Sequence, residues 1–333
     1  MAELAEQFRG CLLGLALGDA LGAPYEFTRP EEIPQGARVS ARFGQLMDLP
    51  VGTVTDDTQM ALALAQSLIE RGRLDGEDVA RRFAELWQRG VIIGPGLACS
   101  EAMGRILGGV EWDRAGCPEG RAGNGAAMRV APVGLFRWQT VDALLADARA
   151  QSIITHTDKR AVAGAAVVAR AVSLCLAADG FDVGEFVHEL VRVAELDSPE
   201  LATELARLPG WLGASPEEVV PEIARAGQPA FTDRVITPFV VPTVAACLYA
   251  FLRTPRDFQA SVSCVIGFGG DTDTTAAITG AISGSLNGEG VLPEELLRHL
   301  RVGRYRVTLA EELRHVADEL HRIASAGGGP GRG

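Results

Sequence analysis

The chain has 333 residues, of which 47% are hydrophobic and 22% charged. That apolar content supports a substantial core and excludes global disorder. The formal charge is −12, from 43 Asp and Glu against 31 Lys and Arg. Such a surface repels phosphate, so general nucleic-acid or anionic-membrane binding is excluded as the main role. An anionic small molecule can still bind wherever metals, helix N-termini or arginines invert the local field.

The opening MAELAEQFRG has neither the basic start nor the apolar core of a secretory signal, and the chain reads as cytoplasmic. Helical periodicity predicts helices over 4–21, 56–71, 76–89, 97–107, 127–136, 140–151, 159–178, 182–195, 198–207, 215–225, 240–252, 255–265, 273–286, 293–299 and 307–325. Val183, Phe186, Val187, Leu190, Val191 and Ala194 illustrate the pattern, forming one apolar stripe. Strand alternation is nearly absent, so a single all-α domain over 1–325 is expected. A flexible Gly-rich tail follows over 326–333. The stretches 159–178 and 273–286, rich in Ala and Gly on all sides, should lie centrally. Residues 28–54, with Pro, Gly and no period, read as a long functional loop. The uncharged run 235–252 contains Pro238 and Pro242 and reads as a buried helix after an irregular turn, not a membrane span. Cys11, Cys99, Cys117, Cys175, Cys247 and Cys264 form no Cys-x-x-Cys pair and read as buried reduced thiols.

Two acidic segments share a design. Thr55-Asp56-Asp57-Thr58 precedes one apolar helix, and Asp271-Thr272-Asp273-Thr274-Thr275 precedes another. Asp and Thr at such positions cap free N–H groups and suit the positive end of the helix dipole. A cap needs one such residue, however, and each segment has four or five. Carboxylate and hydroxyl oxygens are also the ligands of hard divalent ions. Two clusters brought together could supply a two-metal site. The residues alone leave both readings open. Gly267-Phe268-Gly269-Gly270, before the second cluster, and Gly123-Asn124-Gly125 are turns whose amides suit an anion at a helix start.

These motifs, in order, resemble the ADP-ribosylglycohydrolases. The run Gly14-Leu15-Ala16-Leu17-Gly18-Asp19-Ala20-Leu21-Gly22 is followed by Glu26, then by Thr55-Asp56-Asp57-Thr58. Gly123-Asn124-Gly125 with Met128-Arg129, Thr155-His156, and Gly269-Gly270-Asp271-Thr272-Asp273-Thr274 complete the series. The resemblance covers about 8 to 290. It implies an all-α orthogonal helical bundle with two Mg²⁺ or Mn²⁺ ions. Thr55, Asp56, Asp57 and Asp273 would hold one ion. Asp271, Asp273 and Thr274 would hold the other, with Asp273 bridging. Glu26, on a loop, would join Asp56 and Asp273 as a catalytic group. His156, Gly123, Asn124, Gly125, Gly269 and Gly270 would contact the ADP-ribose. Asp19 is expected behind the metal ligands, not among them.

The implied reaction is hydrolysis of the N- or O-glycosidic bond of an ADP-ribosyl group on a protein or small-molecule conjugate. A metal-activated water would attack an anomeric carbon with oxocarbenium character. Arginine-specific relatives carry an Asp in the stretch that here reads Gly94-Pro95-Gly96-Leu97-Ala98-Cys99-Ser100-Glu101, so Cys99 or Ser100 stands in its place. Ala126 follows Gly-Asn-Gly where many relatives have Ser. Both departures weaken arginine specificity. The competing reading is a catalytically silent ADP-ribose-binding or structural member. A monomer is expected.

Overall fold

The computed structural model describes residues 2–39, 42–176, 180–228, 233–304 and 309–326. Regular structure among them is helical throughout. The first half runs α1 (Leu4–Gly22), α2 (Gln35–Val39), α3 (Asp56–Arg71), α4 (Gly76–Gln88), α5 (Leu97–Leu107), α6 (Gly125–Met128), α7 (Ala131–Phe136), α8 (Val141–Ile153) and α9 (Lys159–Leu176). The second half runs α10 (Val183–Glu195), α11 (Pro199–Ala206), α12 (Leu208–Trp211), α13 (Pro216–Ala224), α14 (Val240–Arg253), α15 (Phe258–Ile266), α16 (Thr272–Asn287), α17 (Glu294–Leu297) and α18 (Leu309–Ala326).

The core is built around α1 and α16, with α9 and α14 packed on α16. Gly10, Gly14, Gly18 and Gly22 recur every four residues and so share one face of α1. A Cβ at these positions would lie 2.4 Å from Gly284 O, 2.3 Å from Gly280 O, 2.0 Å from Ala276 O and 2.1 Å from Thr272 O. The two helices are therefore in backbone contact along four turns, and they run antiparallel. That pairing delivers the C-terminal end of α1, with Asp19, to the N-terminal end of α16, with Asp273. The expectation that 159–178 and 273–286 lie centrally holds where they are described: α9 and α16 are buried along nearly their whole length. Residues 177–179 lie outside the described residues.

A second buried ionic centre ties α3 to α4. Asp78 accepts from Ser67 Oγ (2.7 Å), Arg71 Nη2 (2.9 Å), Arg81 Nη2 (2.7 Å) and Arg82 Nε (2.8 Å). Burial pushes its pKa up, but the three arginines and Ser67 outweigh it and hold the carboxyl well below the usual range.

Several elements differ from the sequence reading. The helix expected over 127–136 is two pieces, α6 and α7, broken at Arg129 and Val130. Pro132 has no amide to donate back into the preceding turn, so the helical ladder is broken and restarts with Pro132 in the first turn of α7. The helix expected from 255 begins at Phe258, because Asp257 caps it by accepting from Ala260 N at 2.9 Å. The loop expected over 28–54 contains a 3₁₀ turn at Pro30–Glu32 and the short α2. The four-residue α12 has no counterpart in the predicted set. The start of the helix expected at 307 and the tail from 327 lie outside the described residues. No described helix is long and apolar enough to cross a membrane. All six cysteines are free thiols.

Candidate active site

Both acidic segments open long buried helices, yet the residue at the N-cap position of each does not cap its helix through its side chain. The N-cap of α3, Thr55, makes no side-chain cap bond, and neither does Asp271 at the start of α16. The capping of α3 comes from another helix. Asp19 of α1, fully buried, accepts from the backbone N–H of Thr55 (3.0 Å) and of Thr58 (3.1 Å). It also accepts from both their hydroxyls. Asp19 thus does the work a local Asp or Thr would do, which frees Asp56 and Asp57 to face elsewhere. Asp19 itself is not among the residues lining the cleft described next.

Asp56, Asp57, Asp271, Asp273 and Thr274 are buried and line one cleft of about 340 Å³ with the half-buried Glu26. Carboxylate oxygens of Glu26, Asp271 and Asp273 lie within 4.8 Å of one another. Two oxygens, Asp57 Oδ1 and Asp273 Oδ1, are buried with no hydrogen-bond partner. No Lys or Arg is among the described residues lining this cleft. Burial, and next the charge of Asp273, raises Asp56, Asp57 and Asp271 well above the carboxylate range and pushes Glu26 up to about 8. Burial likewise pushes Asp19 up to about 7, against the hydrogen bonds it accepts. A cluster of this kind must take up protons or bind cations. Orphaned, all-oxygen donors are the set that fits a hard divalent cation. Thr55 does not line the cleft, but its hydroxyl reaches both Asp19 Oδ1 (2.8 Å) and Asp57 Oδ2 (3.2 Å). With its proton held by Asp19, it keeps lone pairs for a cation.

The Gly123-Asn124-Gly125 turn and His156 form another wall of the cleft. Asn124 commits both amide hydrogens inside the protein, to Thr243 Oγ1 (3.0 Å) and Asp271 Oδ2 (2.5 Å). It braces Asp271 rather than offering its NH₂ to a ligand. Gly269 and Gly270 require a correction. Their amides donate to Ile266 O (3.1 Å) and Thr28 O (2.9 Å), and Asp271 N donates to Ile236 O (2.8 Å). None is left to contact a diphosphate. Their value is steric: at φ +83° a Cβ on Gly270 would lie 2.0 Å from Ile236 O, so only glycine lets the strand-like segments at Thr28 and Ile236 cross there.

Of the two candidates for the departed Asp, Cys99 lines the cleft, whereas Ser100 accepts from Trp87 Nε1 (3.3 Å). Burial pushes the Cys99 thiol up to about 11, so it is neutral. Three residues were not singled out as site residues from the sequence. Phe27, 72% exposed with φ +60°, forms the lip next to Glu26. Arg129 and Thr155 are fully buried behind the wall; an arginine inside the apolar run Ala-Ala-Met-Arg-Val-Ala-Pro was the available signal. A larger hollow of about 690 Å³ lies between α3 and α18, with Leu62, Gln66, Arg89, Ile93, Arg304 and Glu312 among its lining residues, and Asp56, Asp57, Asp271 and Asp273 are not among them. The clustered chemistry makes the smaller cleft the candidate site.

Comparison with known proteins gives the family. The family model described as ADP-ribosylglycohydrolase matches residues 1–327. The ADP-ribosyl-(dinitrogen reductase) glycohydrolase of Rhodospirillum rubrum is 30% identical, with 95% of each chain covered. The ADP-ribosylarginine hydrolase Tri1 of Serratia proteamaculans is 29% identical over 96% of this chain and 81% of its own. A solved structure titled ADP-ribosylglycohydrolase-related protein complex superposes with a TM-score of 0.76 at 29% identity, covering 97% of this chain and all of that one. Likeness of this extent in both sequence and fold reflects common descent: the chain belongs to the ADP-ribosylglycohydrolase family, whose enzymes are hydrolases of ADP-ribosyl linkages.

Proposed function

We propose that the cleft hydrolyses the glycosidic bond at C1 of the terminal ribose of an ADP-ribosyl conjugate, with two divalent cations, Mg²⁺ or Mn²⁺, as resident cofactors. The observation that carries this reading is the pair of acidic turns meeting on one cleft with uncapping, partly unpartnered carboxylates. Thr55, Asp56, Asp57 and Asp273 would hold one cation, and Asp271, Asp273 and Thr274 the other. When bound, such ions neutralise the carboxylates, orient ribose hydroxyls and lower the pKa of a water. Glu26, at the rim of the same cluster, accepts a proton from the attacking water. Its mixed burial suits a group that must both exchange protons with solvent and face the reacting carbon. Asn124 and Asp19 hold Asp271 and Thr55 in place and touch no reacting atom. The turn at Gly123 and Gly125 and the ring of His156 bound the space for the ADP-ribosyl group.

The acceptor side faces Cys99. A neutral thiol offers no countercharge to a guanidinium, which argues against selectivity for arginine linkages. The test is release of ADP-ribose from arginine-, serine- and polymer-linked substrates, with Mg²⁺, with Mn²⁺ and with chelator. Turnover that depends on a divalent ion supports the proposal. Full turnover in chelator removes the metal from it, and ADP-ribose binding without turnover on any linkage replaces it with a sensor role.

A further inference from the structure

His156 is 2% exposed, and its ring occupies the space that side chains at the glycine turn would need. A Cβ on Gly123 would lie 2.9 Å from His156 Nε2, and one on Gly125 would lie 2.9 Å from Cε1. The other ring nitrogen, Nδ1, is 2.8 Å from Thr155 Oγ1. That same oxygen accepts a hydrogen bond from Arg129 Nη2 at 2.8 Å. A guanidinium can only donate. The Thr155 hydroxyl proton, fully buried, therefore has a single acceptor in reach among the described residues, His156 Nδ1. Were Nδ1 protonated instead, the hydroxyl proton would be buried without a partner, the costly outcome for a polar group.

We infer that Arg129 and Thr155 are positioning residues that hold His156 as its Nε2–H tautomer, so that the ring donates one hydrogen bond into the cleft, to an oxygen of the ADP-ribosyl group. The inference rests on the reading of the cleft given above. Arg129 can set the relay because it is itself fixed. Its Nε donates to Gln151 Oε1 (2.9 Å), its Nη2 also to Gln151 O (2.9 Å), and its guanidinium lies 4.8 Å over the Phe83 ring. Burial, then the charge of Arg129, lowers the His156 pKa to about 3. The ring is thus neutral at physiological pH and has one proton to place. A fixed Nε2–H recognises an acceptor, such as a phosphate or ribose oxygen, and rejects a donor at that spot.

The experiment reads the tautomer directly. The chain has five histidines, so ¹⁵N-histidine labelling, with His156→Gln to assign the missing signal, identifies the His156 ring in the full chain without nucleotide. The expected spectrum shows a protonated Nε2 and an unprotonated Nδ1. Thr155→Ser should keep that spectrum and bind ADP-ribose within about two-fold of the parent in Mg²⁺. Thr155→Val, nearly isosteric, should lose the fixed tautomer and bind ADP-ribose about ten-fold more weakly, the loss expected for one well-formed hydrogen bond. A protonated Nδ1 in the parent overturns the inference. So does Thr155→Val with an unchanged spectrum and unchanged affinity. The tautomer is read without substrate, so failure of turnover on every linkage would remove the functional reading while the tautomer test still gave its own answer.

Discussion

At the scale of single residues, the site is a set of groups released from ordinary duties. Asp56 and Asp57 open a helix they do not cap, because Asp19 caps it from α1. From sequence, capping and metal binding competed on equal chemistry, since both use Asp and Thr at a helix start. A contact across 36 positions in the chain takes the capping of α3 away from Asp56 and Asp57, which no local pattern encodes. Cys99 carries a prediction at the same scale. Its sulfur is 3.9 Å from Arg129 Nη1, so the carboxylate of Cys99→Asp meets Arg129 before it meets a substrate. Arginine-linkage hydrolysis should therefore rise by less than about ten-fold, while a steady-state assay on the other linkages changes little. A gain of several orders of magnitude would show that Asp at 99 faces the acceptor directly.

At the scale of elements, the antiparallel α1–α16 pair sets the distance between the two halves of the site. Gly18→Ala would put a methyl group 2.0 Å from Ala276 O. The helices must separate, and urea unfolding should report a loss of about 2–3 kcal/mol. Gly104→Ala on α5, where a Cβ meets nothing within 4 Å, should instead gain roughly 0.5 kcal/mol by helix propensity. The α3–α4 lock makes a pH prediction. Asp78 has a folded pKa below its unfolded value of about 3.9. Its stabilisation is present above about pH 4 and is lost as pH falls through the folded pKa. Asp158 behaves alike: its pKa is lowered to about 2, chiefly by the hydrogen bond from Arg160. Asp78→Asn should cost about 2 kcal/mol at neutral pH and flatten the fall of thermal stability between about pH 4 and pH 2. A variant that keeps the parent's acid limb would assign that limb to other groups. Element boundaries were legible where the apolar period is strong: α3 and α5 fall where it puts them, although neither carries a local side-chain cap at its start. They were misread where a Pro breaks the ladder, as at Pro132.

At the scale of the whole molecule, buried carboxylates without lining cations store repulsion that a divalent ion relieves. Mg²⁺ or Mn²⁺ at a hundred-fold excess over its dissociation constant should stabilise the fold by about 2.7 kcal/mol. Differential scanning calorimetry should show the melting temperature rising with the ion and falling again in chelator. Asp273→Ala should lose both this shift and turnover, because one residue serves both proposed ion positions. A variant that keeps the shift would move the bridge to another carboxylate.

The sequence by itself determined the all-α class, most helix positions and the cast of acidic residues, because periodicity, caps and ordered motifs are local properties. It also called for partners around Asp19, since a carboxylate in an apolar helix needs them, and Thr55 and Thr58 are those partners. Tertiary structure alone decided what each polar group is free to do. Asn124 and the amides of Gly269 and Gly270 proved committed within the protein, whereas Asp57 and Asp273 each kept an oxygen unpartnered. Hydrogen-bond satisfaction is a property of neighbours brought together by packing, and here those neighbours meet because two glycine-faced helices let their backbones touch.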